Sequence, residues 1–285
     1  GVLAILNKSV NRLKTGKKPV KSVIRNVCAM GLCAVLSVIG SIPAHAQQAH
    51  STLPTLAAAS DLKFAIEEVA AKFEKETGQK IRLVFGSSGN FYSQIAQGAP
   101  FHLFMSADEN FVFKLADAGK TEDRGRLYAK GRIGILVPKG SALKADGELK
   151  DLAAALKDGR LKKFAIASPE HAPYGMRAKE ALEHSGLWQA IEPKLVVGEN
   201  ISQAAQFAVS GSTQAGIIAY SLALAPQIGS KGDFALIPEA WHKPLAQRMV
   251  LMRNAPEAAK SFYQYLGTPG AQAIMRKYGF EMPAQ

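Results

Sequence analysis

The stretch VFGSSGNFYSQI, Val84 to Ile95, joins an apolar run to a helix-like one through Gly86, Ser87, Ser88 and Gly89. Strand, small hydroxyl-bearing loop, helix: this is the junction at the carboxyl end of a strand in an open α/β sheet. There the first helical N–H groups lack partners and face a crevice. Glycines in such a loop let the backbone approach a ligand closely. Working outward, LPTLAAA, KIRLVF and FHLFMSA are short apolar strand candidates, each followed by a segment of helical period. Leu62, Ala65, Ile66, Val69, Ala70 and Phe73 share one helix face, and Gly78 supplies the stop. The pattern continues through RIGILVP, DLAAALKDG, KFAIAS, YGMRAKEALEHSG, KLVV, ISQAAQFAVSG and QAGIIAY. It ends in DFALIP, RMVLM and two closing helices, PEAAKSFYQYLG and TPGAQAIMRKYGF. The alternation predicts an α/β fold with mainly parallel sheets. No repeat or Gly/Ser/Pro linker divides the chain, so two lobes would be joined by strand-like crossings, with RIGILVP and AQRMVLM as the candidates.

Residues 1–46 read differently. Seven Lys and Arg residues up to Arg25, with no acid, precede the apolar run VCAMGLCAVLSVIG and then Ala44-His45-Ala46. Basic segment, short apolar core and A-x-A exit predict a secretory signal peptide. The core is shorter than the roughly 20 residues of a membrane-spanning helix. Cleavage after Ala46 would leave residues 47–285, without Cys28 and Cys33. The overall charge of +12 then falls to +5, scattered in mixed-sign helices such as KFEKETGQK. No basic stripe with interleaved aromatics marks a nucleic-acid surface.

Enzyme signals are missing. The loop G-S-S-G-N is not the G-x-S-x-G of a nucleophile elbow. His50, His102, His171, His184 and His242 are dispersed, with no pair at zinc spacing, and no phosphate-binding G-x-x-x-x-G-K-[ST] occurs. A secreted hydrolase is the remote rival. Four strand-to-helix junctions instead carry neutral polar residues: Ser60 and Ser88 at N-cap positions, a start near Tyr174 after SPEHAP, and Asn200 with Gln203 three residues on.

As a set, AAASDL, FGSSGNFYSQIAQGAPFHLFMSAD, SPEHAPYGMRAKEAL, VGENISQA, GIIAYS and YGFEMP resemble the molybdate-binding proteins of bacterial ABC importers. They run in family order over residues 55 to 282. The resemblance implies a two-lobed periplasmic binding protein of class II, each lobe a mainly parallel sheet flanked by helices, with the ligand in the cleft between. It implies one lobe of residues 52–129 plus 246–285 and a second of 130–245. The implied ligand is molybdate or tungstate, with sulfate or phosphate as the alternative and no cofactor. The implied partners are a membrane permease and its ATPase subunits, and the implied state is a periplasmic monomer. The site residues carried over are Ser60 and Ser88 through hydroxyl and N–H, Tyr174 and Ile201 through their N–H groups, and Tyr220 through its phenol.

A tetrahedral dianion only accepts hydrogen bonds, so a shell of neutral donors at helix tips suits it. Hydrogen phosphate brings an O–H that needs an acceptor, and leaving it unpaired costs about 1–3 kcal/mol. Three positions depart from the family pattern. Asp61 follows Ser60, where it is expected to point outward; His102 replaces an Asp; and Tyr174 is bulky. Arg177 and Lys179 are the nearest cations to a junction and are expected on a solvated face.

Overall fold

The computed structural model describes residues 53–284, so the signal-peptide reading and its two cysteines lie outside the described residues. In chain order, β1 (Thr55–Ala59) leads through a 3-10 turn (Ser60–Leu62) into α1 (Lys63–Thr77). β2 (Arg82–Gly86), α2 (Ser88–Ala96), β3 (Leu103–Ser106) and α3 (Glu109–Asp117) follow. Then come β4 (Arg126–Gly131), β5 (Ile133–Pro138), α4 (Lys150–Asp158), β6 (Phe164–Ala167) and α5 (Pro173–His184). α6 (Trp188–Ile191), β7 (Leu195–Gly198), α7 (Ile201–Val209), β8 (Ala215–Ala219) and α8 (Tyr220–Ala223) complete the middle of the chain. The last elements are α9 (Pro226–Gly229), β9 (Gly232–Leu236), β10 (Leu245–Leu251), α10 (Glu257–Tyr265) and α11 (Pro269–Lys277).

The strands form two five-stranded sheets, β2-β1-β3-β10-β4 and β7-β6-β8-β5-β9. β1 pairs in parallel with β2 and β3, and β6 in parallel with β7 and β8. β10 and β5 run antiparallel to both their neighbours. Those two are the strands entered on passing between sheets. The chain crosses first at Arg132, the single residue between β4 and β5, and again between Leu236 and Leu245. The crossings lie side by side, since Leu245 pairs with Gly131.

Local sequence explains the elements nearest the crevice. β1 reads TLAAA, poor in β-formers, yet its four last residues are buried between two parallel neighbours. Position overrides propensity there. α1 buries Ala65, Ile66, Val69 and Phe73. It stops where Gly78 turns left-handed at φ 71° and its N–H reaches the Glu74 carbonyl at 2.8 Å. Phe73 meets Phe262 edge-on at 5.2 Å and Tyr265 at 5.1 Å, tying α1 to α10.

A bulge matters more than its size suggests. Gln247 pairs with Ala129 and Arg248 with Leu127, so Tyr128 is the extra residue on β4. Bulges re-aim side chains. This one lets the buried Tyr128 hydroxyl meet the amide of Gln247.

Candidate functional site

Four junctions converge where the two sheets' helices face each other, and direct bonds cross the seam. The Ser60 hydroxyl donates to Asn200 Oδ1 at 3.0 Å and accepts from the Ser202 N–H at 3.1 Å. The Gly89 N–H donates to the His171 carbonyl at 2.8 Å. The Ser221 hydroxyl donates to the Asp61 carbonyl at 2.7 Å. A side chain at Gly89 would place its Cβ 2.6 Å from the His171 oxygen, so glycine is what permits this approach.

Helix starts at this seam leave donors over. At α2, Asn90 N–H is held by the Ser87 hydroxyl, Phe91 N–H by the Ser87 carbonyl and Gly89 N–H by His171. The Ser88 N–H has no partner among the described residues. The Ser88 hydroxyl, fully buried, accepts from the Ala107 N–H at 2.9 Å, which leaves its own hydrogen to give. The N–H groups of Tyr174 on α5 and Ile201 on α7 likewise have no partner among the described residues. At α7 the Asn200 side chain takes the Gln203 N–H at 3.0 Å, while Gln203 Oε1 takes the Glu199 N–H at 2.7 Å. This is a variant of the expected capping box, shifted by one residue. Helix starts with unpaired N–H groups and partial positive charge are anion sites in kind.

Beneath them lies a buried polar network joining both lobes. Tyr174 Oη is 3.1 Å from Asp61 Oδ2 and 2.8 Å from Gln247 Oε1. Gln247 Nε2 is 2.9 Å from Asp61 Oδ2 and 2.8 Å from Tyr128 Oη. The Tyr128 hydroxyl reaches the Ser106 carbonyl at 3.3 Å. Asp61 is 1 % exposed, and burial lifts its carboxyl from 3.8 to about 7. Bonds from Gln247 and Tyr174, and then the Asp61 and Leu62 N–H dipoles, offset part of that rise. Neither N–H is in hydrogen-bond geometry with Oδ1, which is buried without a partner. Burial, followed by the Asp61 charge, pushes the Tyr128 and Tyr174 phenols well above their ordinary range. Gly131 makes room, because a Cβ there would overlap the Tyr174 hydroxyl and Gln247 Oε1.

Several expectations change. Ser60 opens a 3-10 turn without side-chain capping, and Ser87 rather than Ser88 caps α2. Asp61 points inward, where Gln247 and Tyr174 give its carboxyl partners that offset part of the cost of its exclusion from water. The bulky Tyr174 ring is accommodated by full burial, at 2 % exposure. Tyr220 stacks on Phe234 at 5.6 Å and 6° and lies against Gly279. Among the described residues its phenol makes no hydrogen bond to the junctions, while its neighbour Ser221 reaches the Asp61 carbonyl. Arg177 is buried and paired with Glu180 at 2.9 Å, not solvated. Lys179 is half-exposed, 3.8 Å from Glu183 and 5.0 Å from the Trp188 ring centre. His102 gains an explanation: its Nδ1 accepts the Thr55 N–H at 2.9 Å, so the position calls for an acceptor, which an Asp carboxylate is as well.

Tyr128, Gln247 and Gly131 were missed in the sequence. One signal was present: in LAQRMVL the polar Gln247 falls in phase with Leu245 and Met249, on the inward side of the strand.

No lysine or arginine side chain bonds to any residue of this seam among the described residues. Nor do those residues place three or more His, Cys, Asp or Glu for a metal ion. Two α/β lobes whose neutral helix tips meet without a nucleophile–base pair are built to hold a solute. The chain belongs to the bacterial extracellular solute-binding proteins, whose family model matches residues 54–281, and it is a binding protein rather than an enzyme. It is 37% identical over 227 residues to the molybdate-binding protein ModA of Rhodobacter capsulatus, covering 79% of this chain and 86% of that one. The Azotobacter vinelandii ModA is 34% identical over 228 residues, with 79% and 88% covered. The solved periplasmic molybdate-binding protein of Azotobacter vinelandii matches with a TM-score of 0.74 at 28% identity, covering 81% of this chain and 100% of that one.

Proposed function

We propose that the chain captures molybdate, and tungstate with it, between lobes of residues 52–129 plus 246–285 and 130–245, and delivers it to the membrane permease of an ABC importer. The observation that carries this reading is the meeting of the α2, α5 and α7 starts with the Ser60 turn across one seam, which leaves the Ser88, Tyr174 and Ile201 N–H groups and the Ser88 hydroxyl hydrogen without partners and without a cationic side chain among the described residues. Such donors spread the compensation of a dianion over several dipoles. Relatives at 37% and 34% identity named as molybdate-binding proteins support the choice of anion. The Ser60 hydroxyl, committed to Asn200, joins by rotating its hydrogen toward the anion. Periplasmic location and a monomeric state belong to the same reading.

Calorimetric titration of residues 47–285 tests it. Molybdate and tungstate should bind, with sulfate and phosphate much weaker. Equal binding of sulfate would overturn the molybdate assignment and leave a general oxyanion carrier. A narrower test concerns Ser88. Ser88→Ala removes one donor to a charged ligand and should weaken molybdate binding by about 1.5–3 kcal/mol. An unchanged affinity would take Ser88 out of the site.

A further inference from the structure

The geometry points to Asp61 as a proton-carrying clasp: closure of the lobes favours its protonated carboxyl, so capture of the anion at acid pH takes up a proton. This rests on the oxyanion reading above and adds a pH dependence to it. The network of Tyr174, Gln247, Tyr128, Asp61 and the Ser106 carbonyl holds five contacts of hydrogen-bond length. Two phenols and one amide supply four hydrogens. A proton on Asp61 Oδ2 completes the set: it donates to Tyr174, whose phenol is then free to donate to Gln247 Oε1, while the amide serves Asp61 and Tyr128. Turning the Gln247 amide over does not remove the need. Oε1 would then face Asp61 Oδ2 at 2.9 Å, acceptor against acceptor.

The surroundings agree. Asp61 Oδ1 is buried with no partner, which is tolerable for the carbonyl of an acid and costly for half of a carboxylate. Among the described residues no cation is hydrogen-bonded or ion-paired to the Asp61 carboxyl. Tyr174 on α5 and Tyr128 on β4 are the titratable groups that face Asp61. On α1, Lys63 pairs with Glu67; on α5, Arg177 pairs with Glu180; on β10, Arg248 pairs with Glu109. At the crossing, Lys130 and Arg132 both meet Glu239. β2 brings only Arg82, which is exposed, α8 brings Tyr220, stacked on Phe234, and α7 brings no titratable side chain. A trapped dianion a few residues away would disfavour the carboxylate further.

The sign follows from linkage. Opening parts Asp61 from Tyr174 and Ser221 and returns its carboxyl to water, near the ordinary 3.8, while the closed value is about 7. The closed form therefore binds the extra proton between these values. Its advantage is present on the acid side and is lost as pH rises through about 7.

Molybdate affinity of residues 47–285 should drop about tenfold between about pH 6 and about pH 8. Calorimetry in buffers of different ionisation enthalpy should show uptake near one proton at about pH 6 and near none at about pH 8. Asp61→Asn has no proton to titrate, and its amide donates to Tyr174 and, with the Gln247 amide turned over, to Oε1, so the variant should bind with a flat pH profile and no uptake. Small-angle scattering without ligand gives an independent reading: the wild-type radius of gyration should shrink toward acid pH as the closed form gains population, and the variant's should not depend on pH. Flat wild-type binding and scattering profiles would overturn the clasp. Absence of molybdate binding at every pH, with the scattering profile still sloped, would overturn the oxyanion reading and leave the clasp standing.

Discussion

Gln247→Leu should destabilise the protein by about 3–5 kcal/mol and abolish tight anion binding. The leucine matches the strand's apolar phase, so nothing in the local pattern of LAQRMVL opposes it. The penalty comes from what it abandons. Tyr174, Asp61 and Tyr128 each lose a partner at full burial, and each stranded polar group costs about 1–3 kcal/mol. Chemical denaturation would measure the loss, and Gln247→Glu offers a contrast. A protonated glutamate can replace part of the network at acid pH, whereas at neutral pH a second carboxylate beside Asp61 should be worse than leucine. A leucine variant as stable as wild type would show that the network contributes nothing to the fold.

Gly89→Val should behave in the opposite way: binding weakened at least about 100-fold, with stability changed by less than about 1 kcal/mol. Its Cβ meets a backbone carbonyl, His171 O, on the other lobe, and backbone cannot rotate away. Within its own lobe the residue sits in the first turn of α2, a conformation valine can adopt. The substitution therefore acts on the closed arrangement and spares each lobe. Titration with molybdate beside thermal melting separates the two effects. Unchanged affinity would mean that the contact of Gly89 with His171 is no part of the binding state.

Much of this architecture is legible in the chain because it depends on periodicity and punctuation. The apolar face of α1 and its stop at Gly78, the Asn200 cap and the βα alternation all follow from neighbours close in sequence. The buried network does not. Asp61 and Gln247 are 186 residues apart, and Asp61 and Tyr174 are 113 apart. A carboxylate read alone beside an anion site belongs outside it, by simple repulsion. Only its partners make burial tolerable, and only burial keeps it protonated. The displacement of Tyr220 has a similar origin: its ring finds Phe234 and Gly279, neither of which is near it in sequence. Capping at Ser87 instead of Ser88 is a shift of one residue, which two adjacent serines of equal capping ability leave undecided.

The pairing of Leu245 with Gly131 makes the two passages between lobes a single ribbon. Sliding one lobe along the other would have to break that ladder, whereas bending across it breaks nothing. Bending across that ribbon is thus the movement its backbone pairing leaves unopposed.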